Sequence, residues 1–244
     1  MATYAKTGHR LFRTLCYIDA IILLDTPVLK RLSASLALLF HIFCSAQIYA
    51  EAQQCQNCHE QEVAHWQSSH HAKAMGRAED GAFLGRFDGS GADYLGLQFR
   101  FVQKNGEYRL KVTDANGNEQ NYRIAYSLGI KPLQQYLAEH DKGRWQAIPV
   151  VWDTRPEKDG GQRWYALESD LPWQHPAFTA NGNCIDCHST EFSKRFDADS
   201  DSFNTNWDIQ GVSCSACHGD TATHLKWAQS LSASGQGENR LPHY

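Results

Sequence analysis

The chain has 244 residues, of which 42% are apolar, 20% charged and 11% aromatic. These proportions exclude a disordered chain, a collagen-like chain and a membrane protein with many spans, and they predict one domain or one domain with a sizeable insertion. The eight cysteines and twelve histidines are more informative, because six of the cysteines form three Cys-x-x-Cys pairs and a histidine directly follows each pair.

Residues 1–52 have the pattern of a secretory signal peptide. Lys30 and Arg31 precede an apolar stretch at 36–44, which is shorter than the roughly 20 apolar residues that a membrane span needs. Ala50-Glu51-Ala52 provides a cleavage site of the A-x-A type, so we expect the mature chain to begin near Gln53. An uncleaved N-terminal anchor is the alternative. Export predicts a periplasmic protein with no membrane span after processing.

Removal of this leader changes the charge and the cysteine inventory. The leader carries five of the 23 Lys and Arg and three of the 27 Asp and Glu, which leaves 18 basic against 24 acidic residues, a formal charge of −6. A chain this acidic is a poor candidate for binding nucleic acid, and we expect redox protein partners with a basic docking patch. Cys16 and Cys44 leave with the leader, so no cysteine outside the pairs remains for a disulfide.

Three Cys-x-x-Cys-His units carry the chemistry, and we name them the first motif (Cys55–His59), the second motif (Cys184–His188) and the third motif (Cys214–His218). In covalent haem attachment, two thiols at this spacing lie on one side of a helical turn and join one porphyrin, and the next imidazole binds the iron. The predicted attachment cysteines are Cys55, Cys58, Cys184, Cys187, Cys214 and Cys217, and the predicted proximal ligands are His59, His188 and His218.

Zinc is the chief alternative to haem, because the second and third cysteine pairs alone would make a four-cysteine ribbon. Chance would place a histidine after all three pairs with a probability of about 1 in 10⁴, so the haem motif is favoured. We therefore predict three covalent haems c. These flat apolar bodies would also supply the core that a chain without disulfides needs.

After the first motif the sequence predicts a helix and then a loop. Residues 56–75 contain neither Gly nor Pro and are followed by Gly76, which indicates one helix with a glycine cap. Residues 79–93 are rich in Gly and Asp and are predicted to form a loop.

From Leu97 onward, apolar residues alternate with polar ones on either side of turn signals at Asn105-Gly106 and Asn116-Gly117. This pattern predicts a three-stranded antiparallel meander. Trp145, Trp152 and Trp164 have strand spacing, which favours a core over the alternative of a binding face. Three further elements are predicted in this region: a short helix over Lys131–Glu139 and strands over 145–152 and 162–167.

The predicted fold class is α+β and haem-centred, with short helices and loops around three c-type haems and an inserted antiparallel β-rich region. The predicted segments are a signal peptide (1–52), an N-terminal haem unit (53–94), a β-rich insertion (95–170), a C-terminal two-haem unit (171–229) and a loosely ordered tail (230–244).

Two stretches of the chain match a known pattern. The first motif is followed by Trp66-x-x-Ser69-x-His71-Ala72, and the third motif is followed by Gly219 and by His224, with Asp220 where the pattern has proline. These stretches resemble multihaem cytochromes c of the cytochrome c554 (c-552/4) type. The resemblance covers nearly the whole mature chain, and it extends to a subgroup in which further haem motifs and tetratricopeptide repeats follow this module.

The resemblance implies that His71 and His224 are distal iron ligands, usually of a haem other than the one bound by their own motif. For the third distal position we choose His175, nine residues before the second motif, with His65 as the reserve. Met75 is the only methionine of the mature chain, so at most one haem has His/Met ligation. His140 is interpreted as a cap at the end of the helix predicted there.

Two functions from different classes fit these residues. The first is a periplasmic electron carrier, and no enzyme, that passes single electrons between redox partners through three haems. The alternative is a haem enzyme that converts a small nitrogen or sulfur compound at one five-coordinate haem. The surplus of histidines favours filled coordination and therefore the electron carrier.

Overall fold

The computed structural model describes residues 54–234, in which β-strands are the dominant element. The predicted signal peptide with its cleavage site and residues 235–244 of the predicted tail lie outside the described residues. The strands are β1 (Met75–Arg77), β2 (Asp88–Tyr94), β3 (Leu97–Lys104), β4 (Glu107–Thr113), β5 (Glu119–Leu128), β6 (Leu133–His140), β7 (Arg144–Ala147), β8 (Val150–Asp153), β9 (Arg163–Ala166), β10 (Ser189–Thr190), β11 (Phe196–Asp197), β12 (Ser202–Phe203) and β13 (Ile209–Gln210). The α-helices are α1 (Glu60–Ser68), α2 (Ile185–His188), α3 (Cys214–His218) and α4 (Ala222–Ser234).

Within the described residues, nine strands form one antiparallel sheet. Its main path runs β2-β3-β4-β5-β6-β8-β9, while β1 pairs with β5 and β7 pairs with β6. Strands β2 and β9 lie beside each other, so the sheet curls into a nearly closed barrel. None of the helices in this part of the chain has the length and hydrophobicity needed to span a bilayer.

The predicted meander is confirmed as strands β3, β4 and β5. At the first turn, Asn105 and Gly106 have φ values of 54° and 82°, the two positive values that a two-residue type I′ hairpin needs. At the second turn, the Asp114 carboxylate accepts hydrogen bonds from the backbone amides of Asn116 and Asn118. A side-chain hydrogen bond from Asn118 also lowers the pKa of Asp114.

The helix predicted over Lys131–Glu139 is wrong, because this segment forms strand β6 in the middle of the sheet. Gln134 is completely buried there, and its amide bonds to the Ala82 and Gly129 carbonyl oxygens while its Oε1 accepts from the Leu84 amide. Strand pairing on both sides and a satisfied buried amide therefore outweigh the helix propensity of Leu, Gln and Ala.

Other predicted boundaries also change. The helix predicted over residues 56–75 is confined to α1, because the chain turns extended at Ser69 and Met75 begins a strand. The predicted loop at 79–93 contains most of strand β2. In the predicted tail, residues 230–234 belong to helix α4.

The barrel interior is an aromatic core. Phe101 and Trp164 stack with parallel rings, and Trp152 lies against Trp164 at a centroid distance of 5.1 Å. Both tryptophans are at most 7% exposed, which confirms the prediction of a core for these two. Burial raises the pKa of the Tyr136 hydroxyl, which accepts a hydrogen bond from Gly85 and donates one to Gln134.

A second hydrophobic cluster joins the sheet to the second motif. Its buried members are Met75, Leu128, Leu137, Ala147, Ala180 and Ile185, and partly buried Trp145 and Cys184 pack against it. Ile185 lies inside the second motif and is completely buried. Each such fully buried aliphatic side chain contributes about 1.5–3 kcal/mol, so the motif is held firmly on the sheet.

Candidate haem-binding site

Each of the three motifs occupies a helical turn, as the Cys-x-x-Cys spacing predicts. In the first motif the His59 amide donates to the Cys55 carbonyl oxygen at 2.8 Å, and in the second the His188 amide donates to the Cys184 oxygen at 3.1 Å. The third motif coincides with helix α3. None of the six motif cysteines forms a disulfide, and in every motif the first cysteine is partly buried and the second is exposed.

Hydrogen bonds join helix α1 and the residues after it to the segment that leads into the third motif, although these parts lie far apart in sequence. The Trp66 indole on α1 donates to the Val212 carbonyl oxygen at 2.7 Å, and the Val212 amide donates to the His71 oxygen at 2.9 Å. The next residue towards the N-terminus, Gly211, has a φ of 82°, and a Cβ there would lie 2.5 Å from the Ala72 oxygen. Only glycine adopts this backbone conformation so close to Ala72 without strain.

The second motif is tied to the same segment. The Gly211 amide donates to the His188 carbonyl oxygen at 3.1 Å. The His188 Nδ1 lies 2.7 Å from the Ala74 carbonyl oxygen. Because a carbonyl oxygen can only accept, Nδ1 carries the proton and Nε2 keeps its lone pair, which is the usual arrangement of a metal-binding histidine.

The imidazoles of His59 and His224 lie close together. Their ring centroids are 6.1 Å apart with an interplanar angle of 32°. A metal–nitrogen bond to histidine is about 2 Å long and an imidazole centroid lies roughly 1 Å beyond its nitrogen, so two rings on opposite faces of one ion have centroids about 6 Å apart. At this separation the two imidazoles would be able to bind one iron.

A cavity of about 460 Å³ lies beside the second motif. Its volume falls within the usual range for a cofactor pocket. Burial raises the pKa of the Cys184 thiol at its edge, and the nearby Cys187 adds a smaller effect in the same direction. The cavity is lined by Leu128, Gly129, Lys131, Leu133, Gln135, Asn183, Cys184, Cys187 and His188.

The remaining predicted ligands occupy different places. The exposed His71 lies beside the chain that leads into the third motif, through its backbone bond to Val212. His175 Nδ1 accepts a hydrogen bond from the Ala177 amide at 3.1 Å, which makes it the cap of a short 3₁₀ helix. His175 is not among the residues that line the cavity at the second motif.

Three further side chains from the sequence analysis have clear positions. Met75 is 3% exposed and packs in the second cluster, so it serves the core. His140 ends strand β6 and stacks on Tyr122 at a centroid distance of 5.4 Å, so its predicted role as a helix cap is wrong. His65 is exposed on α1.

The four cysteines of the second and third motifs do not form a zinc ribbon. Residues 54–234 contain no group of three or more His, Cys, Asp or Glu side chains placed to share a metal ion. The sequence analysis missed one part of the site, the turn between β5 and β6, whose Lys131 lines the cavity. Lys131 begins the segment that the sequence predicts as a helix, so its position beside the second motif could not be expected from the sequence.

Two known protein families match parts of the chain. The family described as cytochrome c554 and c-prime matches residues 54–83, which contain the first motif. The family described as cytochrome c7 and related cytochrome c matches residues 172–236, which contain the second and third. These matches support a c-type cytochrome. No curated protein and no solved structure matches the chain.

The cytochrome assignment fits the donor set of the site. Cytochromes c hold haem through two cysteine thioethers and a histidine, and the chain presents paired free thiols and a histidine on each motif turn. The second motif has the features that a bound haem needs. They are the Nε2 of His188, which is available to bind iron, and the cavity beside Cys184 and Cys187. His59 and His224 match a haem at the first.

Proposed function

We propose that the chain is a periplasmic multihaem cytochrome of the cytochrome c554 type, which passes single electrons between redox partners through three covalently bound haems. The observation that carries this proposal is that the segment from Trp66 to Ala74, which follows the first motif, is hydrogen-bonded to His188 of the second motif and to Val212, just before the third motif. A haem bound at each motif supplies reversible one-electron chemistry.

The roles of the chain's own residues follow from their positions. The six motif cysteines attach the haems, and His59, His188 and His218 bind the irons on the proximal side. His224 supplies the distal nitrogen opposite His59. His71 is proposed as the distal ligand beside the third motif, and His175 remains the prediction for the last distal position.

The covalent haem count tests this proposal directly. Protein exported with the cytochrome c maturation machinery should have an intact mass that corresponds to three haems and an N-terminus between Gln47 and Gln53. Serine in place of both Cys184 and Cys187 should lower the count to two. Lys158→Ser, which replaces an exposed lysine outside the three motifs, is the control and should leave the haem count at three. A colourless or zinc-containing product would contradict the proposal.

The acidic charge of the chain supports a proposed type of partner. Residues 53–244 carry a formal charge of −6, with 18 basic and 24 acidic side chains. Partners with a basic docking patch should therefore associate faster at low salt, because the attraction is screened as ionic strength rises. Electron transfer rates that do not depend on salt would contradict this part of the proposal.

One observation favours the second candidate function, a haem enzyme for a small nitrogen or sulfur compound. Among the residues that line the cavity at the second motif, His188 is the only histidine. An iron held there has no second imidazole in the cavity wall. Titration of the three-haem protein with nitrite or hydroxylamine distinguishes the functions: a stoichiometric high-spin haem that binds either compound supports the enzyme, and an unchanged low-spin spectrum supports the carrier.

A further inference from the structure

Lys131 is the only lysine, arginine, aspartate or glutamate among the residues that line the cavity at the second motif. We infer, on the basis of the proposed function, that Lys131 shifts the redox equilibrium of this site. Its positive charge favours the reduced state of the haem held by Cys184, Cys187 and His188. The haem of the second motif is then reduced more readily than it would be without this lysine.

The ammonium group of Lys131 has no carboxylate partner among residues 54–234. Within the part of the chain that the structure describes, its ammonium group forms no ion pair, whereas neighbouring strands pair Lys111 with Glu119 at 3.1 Å and Arg123 with Glu139 at 2.9 Å. No carboxylate of the described residues offsets its field, which solvent and salt alone reduce.

A second lysine, Lys194, lies beside the segment that enters the second motif and adds positive charge there. The Lys194 ammonium lies 3.0 Å from the position that a Cβ on Gly182 would occupy, two residues before Cys184. Lys194 also has no ion pair among residues 54–234. Asp186, inside the motif, acts in the opposite direction, and it is exposed as Lys131 and Lys194 are, but it is not part of the cavity wall.

The other two motifs have acidic neighbours instead. Glu60 and Glu62 follow the first motif in the first turn of α1. Asp220 follows the third motif, where its carboxylate accepts the Ala222 amide. The cavity wall at the second motif therefore contributes a cation, whereas the residues that directly follow the first and third motifs include carboxylates.

The redox step in this inference is a simple one. One electron from a reducing partner, or from an electrode in the test, converts ferric to ferrous iron, and no proton moves and no bond forms or breaks. The added negative charge is stabilised by a cation in the wall of the site. Loss of that cation therefore shifts the equilibrium towards the oxidised form.

The test is a spectroelectrochemical titration of the three-haem protein and of Lys131→Gln. We expect the reduction equilibrium constant of one haem to fall several-fold, where a tenfold change corresponds to 59 mV for one electron. The fall should be larger at low ionic strength, because salt screens an exposed charge. Lys131→Arg, which keeps the charge, should retain the original equilibrium.

Two controls identify the affected haem. Lys158→Gln removes an exposed lysine that is not part of the cavity wall and should shift no haem. In protein that lacks Cys184 and Cys187, adding Lys131→Gln should leave the two remaining haems unchanged.

Several outcomes would overturn the inference. They are no shift in Lys131→Gln, an equal shift of all three haems, or conversion of one haem to high spin, which would make Lys131 an axial ligand and not a distant charge. A wild-type protein with no haem on the second motif would instead refute the proposed function, so the two failures can be told apart.

Discussion

Replacing His224 by alanine should open the coordination of one haem and leave the other two unchanged. The centroid of the His224 ring lies 6.1 Å from that of the His59 ring, close to the separation of about 6 Å that two imidazoles on one ion adopt. Among the described rings, no other histidine lies within this distance of His59. The structure therefore predicts that one third of the haem becomes high spin, while three haems stay covalently attached.

The assay is carbon monoxide binding to the reduced protein, followed with the optical spectrum and intact mass. His224→Ala should bind one equivalent of carbon monoxide per chain, and added imidazole should restore the low-spin spectrum by occupying the open position. Lys158→Ala is the control, because Lys158 is exposed and is not a predicted ligand. If His224→Ala remains fully low spin with three haems, His224 is not an axial ligand and the geometric reasoning fails.

Two further predictions concern stability. Gly211→Ala places a Cβ 2.5 Å from the Ala72 oxygen at a φ of 82°. We expect the resulting strain to lower the free energy of unfolding, measured by urea titration, by about 1–3 kcal/mol. Gly160→Ala is the control, because Gly160 has a φ of 78° but open space around it, and it should lower this free energy less. Hydrogen bonds from Arg155 lower the pKa of Asp153, so the stability they add is present above the ordinary value of 3.8 and is lost as the pH falls through the lower folded-state pKa. Asp153→Asn should remove this part of the acid dependence, and an unchanged pH profile of unfolding would contradict it.

The local features of this chain could be predicted from sequence. The motif turns depend on residues within five positions of each other, and the hairpin at Asn105-Gly106 depends on two residues that tolerate positive φ. The alternation on both sides of that hairpin determines which side chains enter the barrel core. These signals need no knowledge of distant parts of the chain.

The errors arose where distant contacts decide the structure. Residues 133–140 have a helix-forming composition, but β5, β7 and β8 offer hydrogen-bonding edges that make them a central strand. Gly89 and Gly91 favoured a loop, yet they lie in β2, where Gly91 lets the backbone of Phe99 approach closely. The pairing of His59 with His224 was also out of reach, because 165 positions of chain separate them.

In the proposed function, the β-rich region forms one wall of the cavity at the second motif. Neither family match covers residues 84–171, which include strands β2 to β9. Yet the end of β5, the turn after it and the start of β6 supply Leu128, Lys131 and Leu133 to the cavity at the second motif. The second cluster also buries Ile185 of that motif against the sheet. Because the barrel supplies both packing and charge at this position, changes in the β5–β6 turn should act on the second haem before they act on the other two.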